Sequence, residues 1–195
     1  MLQRPYHDPV LEPGPFIQTL SGRRVNPLDA AVEDIDPADI ARALSNLCRF
    51  GGHAKAFYSV AQHSAIVCDL LEERGATPDE LMAALLHDAA EAYLGDLPHP
   101  LKHRSELGAQ FRVAEKRLEA VIAERFALPE AAGRIKPLDK ALLATERRAF
   151  SEVTWHWPEL DGAEELDLVI EPWDPARALR EFTERYQRID ALRRG

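Results

Sequence analysis

The sequence predicts an all-α protein, a bundle of about six helices preceded by a short N-terminal β-hairpin. Three observations carry that reading. Apolar residues recur at helical spacing in one segment after another, as at Ile40, Leu44 and Leu47, or Val60, Val67 and Leu71. Helix-opening signals precede the runs: Asp36-Pro37, Ser59 with Gln62, Thr77-Pro78-Asp79-Glu80 and Asp174-Pro175. Strand patterning is confined to one place near the N-terminus.

Taken in order, Phe16-Ile17-Gln18-Thr19-Leu20, the Ser21-Gly22 turn and Arg23-Arg24-Val25 make the hairpin. Asp36 caps a first helix that is expected to run to about Arg49, before Gly51-Gly52. Ser59 caps the second, with Gln62 as its capping-box partner and Gly75 as its stop, so that His63 falls near the first turn. Thr77 to Glu80 opens a third whose run from Leu81 to Leu86 is apolar nearly all round; it should be central, and it leads into His87-Asp88. Gly95, Pro98 and Pro100 then break the chain into a loop from Asp96 to Lys102. Ser105 to Phe126 is amphipathic, with Phe111, Leu118, Val121 and Ile122 on one side. Pro137 is expected to start the helix that contains Asp139, Leu142 and Leu143. An acidic, aromatic linker from Trp155 to Trp173 leads to a last helix capped by Asp174 and carrying Leu179, Phe182, Tyr186 and Ile189. The tryptophans Trp155, Trp157 and Trp173 read as packing residues. At 195 residues the chain suits one domain, with residues 1–35 an extension that carries the hairpin, packed on the bundle, and 36–195 the helical part.

Composition narrows the function classes. Apolar residues at 46% and charged residues at 29% are a globular balance, not a disordered one. A net charge of −9 argues against duplex nucleic acid as a partner, since phosphate-backbone binding needs clustered Lys and Arg. Small anionic substrates stay open, because a few local cations and a metal reverse the field within one cleft. No stretch approaches the roughly eighteen apolar residues of a membrane span. Met1 to Pro15 lacks the basic-then-apolar character of an export signal, so a cytoplasmic protein without a membrane partner is expected. Cys48 and Cys68, each expected on the apolar face of a helix, suggest neither a disulfide framework nor a thiolate zinc site.

The chemistry is concentrated where the apolar third helix ends in His87 and Asp88. Ionisable groups at the end of a buried helix are costly unless paired or bound to a metal. Two imidazoles and two carboxylates suit a divalent ion, with His63 and Asp139, each near the start of a helix, as the remaining candidates. Taken alone, a histidine on a helix is more often a structural residue than a ligand.

These positions resemble the HD-domain phosphohydrolases, whose pattern is a His, a His-Asp pair and a distant Asp: here His63, His87-Asp88 and Asp139. The likeness is closest to bacterial 5′-deoxynucleotidases and phage deoxynucleoside-triphosphate hydrolases. Those have an Arg and an aromatic before the first His, a Glu four residues after the His of the pair, and an Asp-Leu-Pro-x-Pro-x-Lys loop. This chain has Arg49-Phe50, Glu91 and Asp96-Leu97-Pro98-His99-Pro100-Leu101-Lys102. The motifs extend from about Arg49 to Asp139, close to half of the chain.

The resemblance implies an HD-domain helical bundle and one divalent metal ion (Mn, Co, Mg, Fe or Zn) on His63, His87, Asp88 and Asp139. It further implies release of phosphate from a deoxynucleoside monophosphate by attack of metal-bound water, and a homodimer. Glu91 and Asp96 are then the acid/base candidates, with their two roles not told apart. Arg49 offers a planar fork and Lys102 a point charge for phosphate, and Phe50 a surface for base or sugar. Plainer roles stand beside these: a solvated helix residue for Glu91, a loop cap for Asp96, a helix C-terminal charge for Arg49, a surface lysine for Lys102. His53, His99 and His103 invite a second metal, which the matching branch does not have. One alternative keeps the site but removes the triphosphate from a dNTP; another, of a different class, is a non-catalytic nucleotide sensor with a structural metal. Alarmone hydrolysis is disfavoured because Ala92, not an acidic residue, follows Glu91.

Overall fold

The computed structural model describes residues 13–195; residues 1–12, on which most of the reading of the chain's start depends, lie outside the described residues. Strand β1 (Ile17–Gln18) pairs antiparallel with β2 (Arg24–Val25), Ile17 opposite Val25. Gly22 closes the turn at φ 86°, where a side chain would be strained. The hairpin is fastened to the helices behind it. The Ser21 backbone N–H and hydroxyl donate to Asp39 (2.9 and 2.6 Å), Arg23 pairs with Asp36 (3.1 Å), and Val25 is fully buried.

Eight α-helices follow among the described residues: α1 (Pro37–Asn46), α2 (Val60–Glu72), α3 (Pro78–Leu85), α4 (Glu91–Leu94), α5 (His99–Arg104), α6 (Glu106–Phe126), α7 (Ala132–Phe150) and α8 (Pro175–Arg194). The all-α class with a small hairpin is therefore correct, and the count of about six is two short. The additions are α4 and α5, of four and six residues, in the stretch read as a helix end and a loop. Pro98 and Pro100, which look like breakers, instead start α5, since proline lacks only an N–H that a first turn leaves unbonded anyway.

Two boundaries and one cap also differ. α1 stops at Asn46 rather than near Arg49, and Cys48 lies off the helix, bridged to Ser59. α7 begins five residues before Pro137, which sits on an exposed face where the carbonyl it leaves unbonded meets solvent. Ser59 does cap α2, accepting from the Gln62 N–H (3.1 Å), but Gln62 does not return the bond. Its amide instead donates to the Glu171 carbonyl (2.7 Å) and accepts from the Trp173 N–H (2.8 Å), pinning the long linker to the bundle. The caps at Thr77 with Glu80, at Ser105 and at Asp174 form as the sequence implies.

Helix α2 is the centre of the bundle, packed on α1, α3, α7 and α8. Val67, Leu71, Leu85, Leu142, Phe182 and Ile189 are each at most 1% exposed, and burial of side chains of this size stabilises by about 1.5–3 kcal/mol apiece. α3 buries every residue from Leu81 to Leu85, as its unbroken apolar run requires. The start of α2, the end of α3 and the middle of α7 thus meet at one place. No described helix is long and apolar enough to cross a membrane.

Candidate metal centre

His63, fully buried in the first turn of α2, and His87, just past the end of α3, bring their Nε2 atoms to 3.3 Å. Asp88 Oδ2 lies 3.3 Å from His87 Nε2 and 3.6 Å from His63 Nε2. The donor atoms of these three residues all fall within 4.8 Å of one another. Asp139, from α7, joins them through Oδ1, 3.1 Å from His63 Nε2. Of the four side chains singled out as ligands from the sequence, His63, His87 and Asp88 form one group, and Asp139 lies beside His63 but outside that group.

The outer hydrogen bonds of the two rings say what the site wants. His87 Nδ1 is 2.8 Å from the Ala84 carbonyl, which can only accept, so the proton sits on Nδ1 and Nε2 keeps its lone pair. His63 Nδ1 is 2.6 Å from the Glu146 carboxylate, so it too donates, and its Nε2 also faces inward. Two such nitrogens and two carboxylates at these separations repel unless a cation lies among them. Without a metal that cation is a proton. Burial and Arg49 both oppose charging His63, yet Glu146 and Asp139 outweigh them and raise its pKa to about 10. A proton on one nitrogen serves one or two acceptors; a divalent ion would serve His63, His87 and Asp88 at once, so that donor set fits a metal.

Glu146 is the residue that the sequence did not reveal. Fully buried, it accepts from His63, from the Tyr58 hydroxyl (2.7 Å), and pairs with Arg49 (3.1 Å). Burial works against its charge, but Arg49 and His63 hold its carboxyl below the usual range. It lies two helical turns after Asp139, on the same face of α7, and that spacing was the available signal. Glu146→Gln keeps the volume and removes the charge that orients His63. We expect metal affinity to fall about tenfold or more in an equilibrium metal titration, as for outer carboxylates behind metal-bound histidines generally, with an unchanged circular dichroism spectrum. Unaltered affinity would reduce Glu146 to a packing residue.

A cavity of about 410 Å³ opens on Asp88 and Asp139, and Arg49, Phe50, Glu91, Asp96 and Lys102 all line it. Arg49, in a tight turn before α2, is buried between Asp88 (3.6 Å) and Glu146, so it is not a helix C-terminal charge. Phe50 follows with φ 58°, a left-handed conformation costly for a side chain, and its ring sits 5.6 Å from the Arg49 guanidinium. Glu91 was expected one turn beyond His87 on a continuous helix, but the chain leaves helical geometry at Leu86 (φ −103°, ψ 10°) and turns before α4 begins. Glu91 reaches the cavity nonetheless, with Oε2 buried and without a protein partner. Burial, then the Asp88 and Asp96 charges, hold its carboxyl well above the usual range. Burial also raises Asp96, with Arg49 opposing. Lys102 lines the cavity with its ammonium already paired to Glu115 at 2.6 Å. His53, His99 and His103 line it as well, as do Trp155 and Trp157, which the sequence suggested were packing residues.

A scan of family models found no match to this chain. Among curated proteins, an uncharacterized protein of Rhodobacter capsulatus is 40% identical over 114 residues, 56% of this chain and 57% of that protein. The uncharacterized protein YfdR of Escherichia coli (strain K12) is 39% identical over 183 residues, 92% of this chain and 98% of YfdR. At that identity, along nearly the whole of both proteins, the chain belongs to the same family as YfdR.

Proposed function

We propose that this chain is a metal-dependent phosphohydrolase of the HD-domain kind that acts on nucleotides, releasing phosphate from deoxynucleoside monophosphates in the cytoplasm. The observation that carries the reading is the pair of imidazole nitrogens of His63 and His87, 3.3 Å apart and beside Asp88 and Asp139, the last two of which open onto a cavity that Glu91 also lines. A divalent ion held there makes water nucleophilic near neutral pH and neutralises charge on phosphoryl oxygens.

The side chains divide the remaining work. Glu91, whose carboxyl burial and its acidic neighbours hold well above the usual range, is the group that donates a proton to the departing 5′ oxygen. Asp96, which lines the same cavity, accepts the proton of the attacking water. Arg49, held between two carboxylates on the cavity wall, offers its guanidinium to the phosphate. Monophosphate is favoured over triphosphate because Arg49 and Lys102 are already matched by Asp88, Glu146 and Glu115, leaving little spare positive charge for a polyphosphate tail. A second cavity of about 390 Å³ reaches His87, Asp88 and Asp139 from the α6 side but is not lined by Arg49, Glu91 or Asp96, so the first is the substrate side.

The test is a panel of nucleoside mono-, di- and triphosphates with Mn, Co, Mg, Fe and Zn, reading the phosphate product. Orthophosphate from deoxynucleoside monophosphates is expected. Triphosphate release from dNTPs would redirect the substrate, and binding without turnover under every metal would make the protein a sensor.

A further inference from the structure

We propose that Trp155 and Trp157 form a stacking wall for the nucleobase, an inference that depends on the nucleotide reading above. Trp155 is 61% exposed and continues through Trp157 to Phe50 as one aromatic patch, the kind of contiguous apolar surface that marks a ligand groove. It lies on the cavity wall with its ring centroid 5.8 Å from Trp157, and Trp157 is 6.3 Å from Phe50. Phe50 adjoins Arg49, which reaches Asp88. Aromatic surface therefore starts beside the metal group and runs outward along one side of the cavity.

The wall is held in place before any ligand arrives. The Arg147 guanidinium sits 4.9 Å over the Trp157 ring and donates to the Trp155 carbonyl, fixing both residues to the end of α7. Glu159 faces His99 at 3.8 Å and ties this segment to the α5 side of the same cavity. A nucleoside monophosphate has this layout, a phosphate at one end and a flat aromatic ring one sugar away. Stacking reads the face of a base and not its edge, so the wall accepts all bases and ranks them by ring area, purines above pyrimidines.

The experiment compares dAMP, dCMP and deoxyribose 5-phosphate as substrates of the full-length, metal-loaded wild type, W155A and W155F, alongside tryptophan fluorescence of the metal-free chain titrated with the same compounds. W155A should lower kcat/KM for dAMP about tenfold or more, mostly through KM, and narrow the preference for dAMP over deoxyribose 5-phosphate by the same factor; W155F should restore it. In the wild type, dAMP should quench fluorescence more than dCMP, and deoxyribose 5-phosphate should not quench it. If the wild type hydrolyses dAMP but W155A loses nothing, or loses equally on the abasic substrate, the wall is overturned while the nucleotidase reading stands. Quenching without turnover supports the wall and removes the hydrolase reading; neither quenching nor turnover removes both.

Discussion

Asp88→Asn is expected to empty the metal site and abolish turnover in a single step. The substitution preserves shape, so the bundle should fold, with an unchanged circular dichroism spectrum. What it removes is the negative charge at Oδ2, 3.3 and 3.6 Å from the two imidazole nitrogens and 3.6 Å from Arg49. Two neutral nitrogens and Asp139 alone are a poor set for a divalent ion, which binds carboxylate oxygen far better than an amide. Loss of Asp88 also frees Arg49, which then pairs with Glu146 alone and loses its second anchor. Metal analysis of the purified variant should give a clearly substoichiometric content, and the rate should fall to background. Stoichiometric metal with full activity would contradict the role given to Asp88.

Glu91→Ala should separate the two properties that Asp88→Asn joins. Glu91 stands outside the proposed ligand set, so metal content should stay near that of the wild type while the rate falls about a hundredfold or more, the usual loss for an acid/base group. The same residue has a signature in stability. Its folded-state pKa is raised by burial, so the folded protein holds a proton that the unfolded chain gives up. Stability is therefore lost as pH climbs from the unfolded value, about 4.3, toward the folded one. Glu91→Gln removes that penalty. In metal-free protein it should melt above the wild type at pH 8, by about 2–4 °C for each kcal/mol relieved, with the gap closing toward pH 4. A variant of normal rate, or one with no pH-dependent gain, would make Glu91 an ordinary surface carboxylate.

The meeting of His63 with His87 and Asp88 was legible because two helices have strong opening signals, Ser59 before His63 and Thr77-Pro78 with Glu80 before the turn at His87, whereas α7, which carries Asp139, opens without a side-chain cap. Such caps fix where a helix starts, and an apolar stripe fixes which way it faces, so residues near the helix ends can be placed with few alternatives. What was not legible depends on tertiary contact. The turn at Leu86 lies inside an apolar run with no glycine or proline to mark it, which is why α4 was missed. Gln62 has the sequence of a capping-box partner, but the linker passing at Glu171 to Trp173 offers its amide better bonds. Glu146 looks like one of many charged residues on an amphipathic helix until Tyr58 and His63 are seen against it. Trp155 and Trp157 follow a helix in an unpatterned linker, and only the packing of that linker turns them toward the cavity.

The proposed chemistry requires that His63, His87, Asp88 and Asp139 share one cation. Calorimetric titration of metal-free protein with Mn²⁺ tests it directly, alongside a variant in which His63 and Asp139 are both alanine. One saturable site per chain in the wild type, and none in the double variant, is the predicted result. No saturable binding to the wild type, or equal binding to both proteins, would mean that these side chains do not share an ion.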